Sequence, residues 1–304
     1  MTTLAPAAPA GAARTGSPAG TLRSLGALEA RRYATHPLFI AGCAVTTTTS
    51  VLGPDVDTSS LFHAIVPAAA IGLAGIVLMW LLARRSDAAS SAAGAVPVGE
   101  AVRTGALALA GLVPFTAGLA WWIWAMAAYE VHPPTVDGFP FGPADNARWV
   151  GSVLFVLGPL ACLGGPLLGL LVARWTTGRA APAVAVVGVI AASIVMQGLF
   201  DPLIRARVVM PWTYWGGPLG VEGDDQRMKV LPGNPHWWLL YVACLNAGGL
   251  VLALLHDREG PRRRLLLVAG ALLAVAIPAC LLAMWTGIPE TLANPVPSRR
   301  GLWP

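Results

Sequence analysis

The sequence predicts an all-α fold: a polytopic integral membrane helix bundle of about seven spans, preceded by an N-terminal interfacial elbow helix. Three observations carry this. Hydrophobic residues make up 56% of the 304 positions and charged residues only 12%, about half the charged share of a soluble domain. Mean hydropathy is +0.65, which places the chain among membrane proteins before any motif is considered. The apolar residues gather into seven runs, at 38–53, 61–83, 106–129, 149–175, 181–200, 237–255 and 265–285. Most approach or exceed the roughly 20 residues that a helix needs to cross the hydrocarbon core.

Apart from Met1 and Leu4, residues 1–20 are Ala, Pro, Gly, Ser and Thr with one arginine. They lack the apolar stretch of a signal peptide, and their composition predicts a disordered cytoplasmic tail. Residues 21–36 are compatible with a helix that stops at Pro37. Leu22, Leu25, Leu28 and Tyr33 share one broad face, Arg23 and Arg31 lie opposite, and Glu29 and Arg32 interrupt the apolar side. That pattern suits an imperfect interfacial helix. The first span is the shortest at sixteen residues and contains Thr46, Thr47, Thr48, Thr49 and Ser50. Hydroxyls can bond back to the preceding turn, so a helix in lipid tolerates them better than charges. Between spans five and six lies the loop 201–236, with the apolar and aromatic stretch 208–215. It is too short and too interrupted by Pro211 to cross. The expectation is a re-entrant outer loop that dips into the interface or caps the bundle, with Trp212, Tyr214 and Trp215 at its centre. Gly216, Gly217 and Pro218 then break the chain, 222–229 read as a solvated turn, and 288–304 form an extracytoplasmic tail.

Orientation follows from counting. With the N-terminus in the cytoplasm, the inner segments hold thirteen arginines and the outer segments seven basic residues. The inner connections around Arg84 and Arg85, Arg174 and Arg179, and Arg258 to Arg264 are short and basic, where the positive-inside rule is strongest. Trp121, Trp122, Trp124, Trp149, Trp237, Trp238 and Trp285 fall at outer ends and Trp80 and Trp175 at inner ends, the distribution of an interfacial aromatic belt. The expected topology is multi-pass in the inner or plasma membrane, N-terminus cytoplasmic and C-terminus outside.

The residues give little chemistry to work with. Cys43, Cys162, Cys244 and Cys280 sit singly inside apolar runs, as buried small hydrophobes do. The five histidines show no ligand spacing, and Lys229, the one lysine, lies in no phosphate-binding loop. There is no H-E-x-x-H, no G-x-S-x-G and no pair of carboxylates within a span, so neither catalysis, nor a cofactor, nor a metal is expected. The basic residues form no patch interleaved with aromatics, which speaks against nucleic acid. Polarity inside the spans is limited to Thr46, Thr47, Thr48 and Thr49, with Gln197 in span five and Asn246 in span six. Lipid cannot satisfy such groups, so they bond to a neighbouring helix or line a path. Gly72 with Gly75, and Gly165 with Gly169, mark faces for close helix contact.

One arrangement is more specific. A basic segment ending in Arg31-Arg32-Tyr33-Ala34-Thr35-His36-Pro37 feeds the first span. After the second span comes Arg84-Arg85-Ser86-Asp87, then Ala95-Val96-Pro97-Val98-Gly99-Glu100-Ala101-Val102-Arg103 leading into the third. This resembles the membrane permease subunits of actinobacterial type-two ABC exporters. The resemblance covers roughly residues 21–255 and implies an elbow helix before span one. It also implies a cytoplasmic helix, opened by a valine–proline pattern, that docks on an ATPase. Val96, Pro97, Val98, Glu100 and Arg103 become the candidate coupling residues, and the loop before span six matches that family's re-entrant hairpin. The implied partners are a separately encoded P-loop ATPase, a second permease copy or paralogue, and membrane lipid. The seventh span and outer tail depart from the usual six-span pattern. The alternative is a non-transporting scaffold, assembly factor or sensor that binds a partner through its outer loops.

Overall fold

The computed structural model describes residues 18–52, 61, 63–93, 98–131, 143–199, 203–219 and 227–295. Ten α-helices dominate it: α1 Pro18–Ala34, α2 Pro37–Leu52, α3 Leu73–Ala93, α4 Glu100–Ala110, α5 Leu112–Val131, α6 Pro143–Phe155, α7 Ala161–Trp175, α8 Ala181–Gln197, α9 Pro235–Leu254 and α10 Arg262–Trp285. π-helical turns at Ala68–Gly72 and Val156–Leu160 lead into α3 and α7, and a 3₁₀ turn spans Leu203–Val209. Helix starts follow local chemistry. Asn234 caps α9 by accepting from the His236 N–H at 3.0 Å, with Pro235 at the first helical position where its missing N–H costs nothing. Glu100 opens α4, where a negative charge suits the helix dipole.

Five helical segments are long and apolar enough to cross a membrane: Ala68–Ser90, Glu100–Glu130, Asn146–Trp175, Pro235–Leu254 and Arg262–Trp285. α2 and α8, at 16 and 17 residues, are apolar but shorter. The central element is α7 with its lead-in. In its most apolar window 78% of residues are buried, against 11% for α10, which lies at the periphery. α7 packs along α3 on glycines: a Cβ on Gly165 would overlap the Gly72 carbonyl, and one on Gly169 the Ile76 carbonyl. The two small-residue stripes of the sequence meet each other, and backbone approaches backbone. α9 and α10 form a second packed pair, and α1 lies along α4. α8 and α10 present apolar side chains outward, among them Val184, Val187, Ile194, Leu267, Leu273 and Ile277. Apolar faces of that extent are the mark of a lipid or partner contact.

The helical bundle carries one small sheet. β1 Gly216–Leu219 pairs antiparallel with β2 Arg227–Val230, and β2 pairs antiparallel with β3 Leu292–Pro295. The supposed solvated turn thus becomes a strand from Arg227 onward, and the start of the supposed tail completes the sheet. Beside it Gly233 bridges Ile288, with φ of 119° at Gly233 and 80° at Gly287, values that favour glycine. The reason is hydrogen-bond accounting. Two connections leave the bundle at the same end, and each supplies the backbone partners the other lacks. The expected tail 1–20 falls largely outside the described residues.

Candidate functional site

Arg84 on α3, Arg103 at the start of α4, Arg174 at the end of α7 and the connection from α9 to α10 converge on one polar junction, the basic end. Arg174, in the last turn of α7, is its hub, with a side chain 3% exposed. Its Nη1 donates to both carboxylate oxygens of Asp87 on α3, at 2.8 and 3.0 Å, and its Nε donates to Thr104 Oγ1 on α4 at 3.0 Å. Arg103 stands 3.6 Å from the same Asp87 and donates to Ser90. Glu100 lies 3.9 Å from Arg174 Nε and accepts from His256 Nδ1 at 2.6 Å. Asp257, just past α9, accepts the Ala101 N–H at 3.0 Å and so satisfies a first-turn donor that the helix cannot. Arg84 donates to the Thr176 carbonyl, closing the rim. Charge-assisted bonds of this kind are about twice as strong as neutral ones. A cup of about 790 Å³ opens beside the junction, bordered by Val98, Glu100, Arg103, Trp175, His256 and Arg262. Among the described residues no group of three His, Cys, Asp or Glu side chains is placed to hold a metal.

The expected coupling residues divide accordingly. Val96 and Pro97 lie outside the described residues. Val98 is half-buried and borders both the cup and a second cavity beneath α1. Glu100 and Arg103 turn toward α3, α7 and α9. Arg174, Asp87, Thr104 and His256, which complete the junction, were not singled out by the sequence. Arg174 entered only the charge count and Asp87 only the segment that follows span two, and nothing in their spacing links them across 87 positions.

The intramembrane polar residues divide too. Thr46 is buried and donates to the Gly42 carbonyl at 2.8 Å; Thr47 and Thr48 are exposed and Thr49 is half-buried. Gln197 is exposed at the end of α8. Asn246 is half-buried, its Nδ2 donating to the Leu160 carbonyl at 2.9 Å. These residues do not gather into one path.

At the opposite, aromatic end the loop 203–219 folds back onto the bundle. Trp212 and Trp215 are buried and Tyr214 half-buried. Trp215 meets Trp149 edge-on at 5.8 Å and Trp238 at 5.3 Å. Trp238 Nε1 and Tyr241 Oη donate to the Met210 and Val209 carbonyls at 3.3 and 2.9 Å. Arg207 is fully buried, its guanidinium carbon 4.9 Å from the centre of the Trp215 ring, and it donates to the Tyr214 and Ile204 carbonyls, each at 3.2 Å. Burial, with Arg205 nearby, pushes its pKa down to about 9. Compared with protein-family models, with curated proteins and with solved structures, the chain finds no match in any of the three.

Proposed function

We propose that the chain is the membrane permease subunit of an exporter of the type-two ABC kind. In this reading it has seven spans, α2 and α8 included, with the N-terminus cytoplasmic and the C-terminus outside. It works with a separately encoded ATPase and with a second copy or paralogue, and hydrolyses nothing itself. The observation that carries the reading is the position of the first turn of α4. It follows the candidate docking segment, and α4 packs on α1, α3, α7 and α9. A displacement applied at Val98 and Glu100 is therefore passed to four helices at once, through Asp87, Arg174 and His256. That is what coupling requires: a partner's motion must bias an element with more than one packing arrangement.

The test uses Val98, whose half-exposed side chain lies between the cup and the α1 cavity. Val98→Cys, in a chain lacking the four native cysteines, should react with an impermeant maleimide only after the membrane is opened. Val98→Asp should release a co-expressed P-loop ATPase encoded beside this chain while the protein still inserts and elutes as a single species. Labelling of Val98→Cys in intact cells removes the orientation. An ATPase that never co-purifies with the native chain removes the transport reading in favour of a scaffold or sensor.

A further inference from the structure

A cavity of about 430 Å³ lies between α7, α8, α9 and α10, roofed by Met210, Pro211 and Trp212 of the aromatic-end loop. That volume falls within the range of small-molecule sites, roughly 300–1,000 Å³. Its wall is apolar with one exception, Asn246. The amide's orientation is fixed, because Nδ2 must be the atom that donates to the Leu160 carbonyl at 2.9 Å. Oδ1 then lies over Gly164, itself part of the wall, where a Cβ would come within 2.7 Å of it. Among the described residues Oδ1 accepts no hydrogen bond. An unpaired amide oxygen in an apolar wall is costly unless something donates to it.

The space is made by missing side chains. Gly248 and Gly249 both border it, and a Cβ on either would meet nothing within 4 Å. Access is from the flank. Leu252 and Leu273 line the cavity and are 44% and 59% exposed. α8 packs on α3, α7 and the 203–209 turn, whereas α10 packs on α9 and that same turn, so no close pairing of α8 with α10 shuts the space. Depth then selects the ligand. Asn246 is eleven residues from the start of α9 and eight from its end, about 17 and 12 Å along the axis. The headgroup of a bilayer lipid, held at the interface, does not reach that level.

We infer that this cavity binds a lipophilic molecule carrying a single hydroxyl, a long-chain alcohol in chemical class, which enters from the bilayer and donates to Asn246 Oδ1. The inference is independent of transport and of any ATPase, since it concerns the purified chain alone.

Bromo-undecanol is the probe and bromo-undecane its control, titrated into the chain in lipid nanodiscs. Bromine quenches indole at contact, and Trp212 forms the roof. The alcohol should give saturable quenching that Trp212→Phe removes. Its half-saturation should be about tenfold lower than that of the bromoalkane, the worth of one hydrogen bond near the upper end of the usual range. Gly249→Leu, where an added Cβ meets nothing within 4 Å, should fill the open space and abolish the saturable component; Asn246→Leu should leave the two probes equal. Equal affinities in the native chain would remove the hydroxyl–Asn246 contact and with it the proposed ligand class. Saturable quenching that survives Gly249→Leu, or quenching that rises only linearly with probe, would remove the site altogether.

Discussion

Each end of the bundle buries an arginine, and the two are held in opposite ways. At the basic end Arg174 meets a carboxylate from another helix, with Thr104 and Glu100 around the same guanidinium. At the aromatic end Arg207 is held by two carbonyls and an indole face, with no carboxylate within ion-pair distance among the described residues; in both arginines Nη2 lacks an acceptor. Burial lowers the Arg207 pKa, and Arg205 nearby adds to the effect: a buried charge is disfavoured when nothing opposite compensates it. The lesson concerns what each arginine joins. Arg174 links three helices whose contacts come from distant parts of the chain, so it works as a joint. Arg207 bonds within eight residues of itself, so it shapes one loop.

The largest expected effect therefore lies at Arg174. Arg174→Ala takes from Asp87 its closest partner, leaving it Arg103 at 3.6 Å, and removes the link between α3, α4 and α7. Breaking a buried pair costs about 3–5 kcal/mol when the abandoned charge stays buried. Asp87 is 31% exposed, so about 3 kcal/mol is expected, read from denaturant titration in detergent. Arg174→Lys should recover only part of this, because an ammonium cannot hold Thr104 and both oxygens of Asp87 in one plane. Full recovery by lysine would reduce the joint to simple charge proximity.

At Arg207 the expected loss is smaller. Arg207→Met keeps the apolar packing on Trp215, removes a charge that burial disfavours, and leaves two carbonyls without a donor. The net cost is about 1 kcal/mol. The sign of its pH dependence separates the two ends further. The folded-state pKa is about 9 and the ordinary value 12.5, so between them the unfolded chain binds more protons than the folded one. Native stability should therefore rise with pH above about 9 relative to Arg207→Met. A native-minus-variant difference that stays flat from pH 8 to 11 would show the Arg207 charge to be compensated.

Much of the helical scaffold was legible because it rests on composition and local punctuation. The runs of the sequence and the observed helices agree within a few residues at most ends, as at α2, α9 and α10, since Pro37, Pro235 and the Arg262 cluster mark where lipid-compatible helix begins. The glycine stripes were legible as contact faces, though not that Gly165 meets Gly72. The three-stranded sheet was not legible. β1 contains a Gly-Gly-Pro run, which breaks a strand pattern, and β2 alternates polar and apolar (Arg227, Met228, Lys229, Val230) over only four residues, the shortest stretch in which a strand period can be read. Their pairing depends on which loops leave the bundle at the same end. The junction was half legible: the coupling candidates pointed to α4, but Asp87 and Arg174 meet only through the packing of α3 on α7. The cavity was hidden for a different reason. Asn246 stood out as polar, but nothing in the sequence marked Gly248 and Gly249 as the residues beside which space stays open.

The smallest effect is expected at the rim of the junction. His256 donates to Glu100 at 2.6 Å, yet the two side chains are 41% and 26% exposed, and exposed ion pairs contribute about 0–1 kcal/mol. His256 also stands edge-on to Trp175 at 5.6 Å. His256→Phe keeps that aromatic contact and removes only the bond to Glu100. If the basic end is a hub at Arg174 with independent attachments, the change should cost no more than about 0.5 kcal/mol, and it should add to the cost of Arg174→Ala in the double variant. If the junction is one cooperative unit, Glu100 released from His256 should swing toward Arg174, 3.9 Å away. The two changes would then be strongly non-additive, by about 1 kcal/mol or more. The double-variant cycle reads this directly. Additivity would confine the joint to α3, α4 and α7. Coupling would extend it to α9, and through α9 to the wall that carries Asn246.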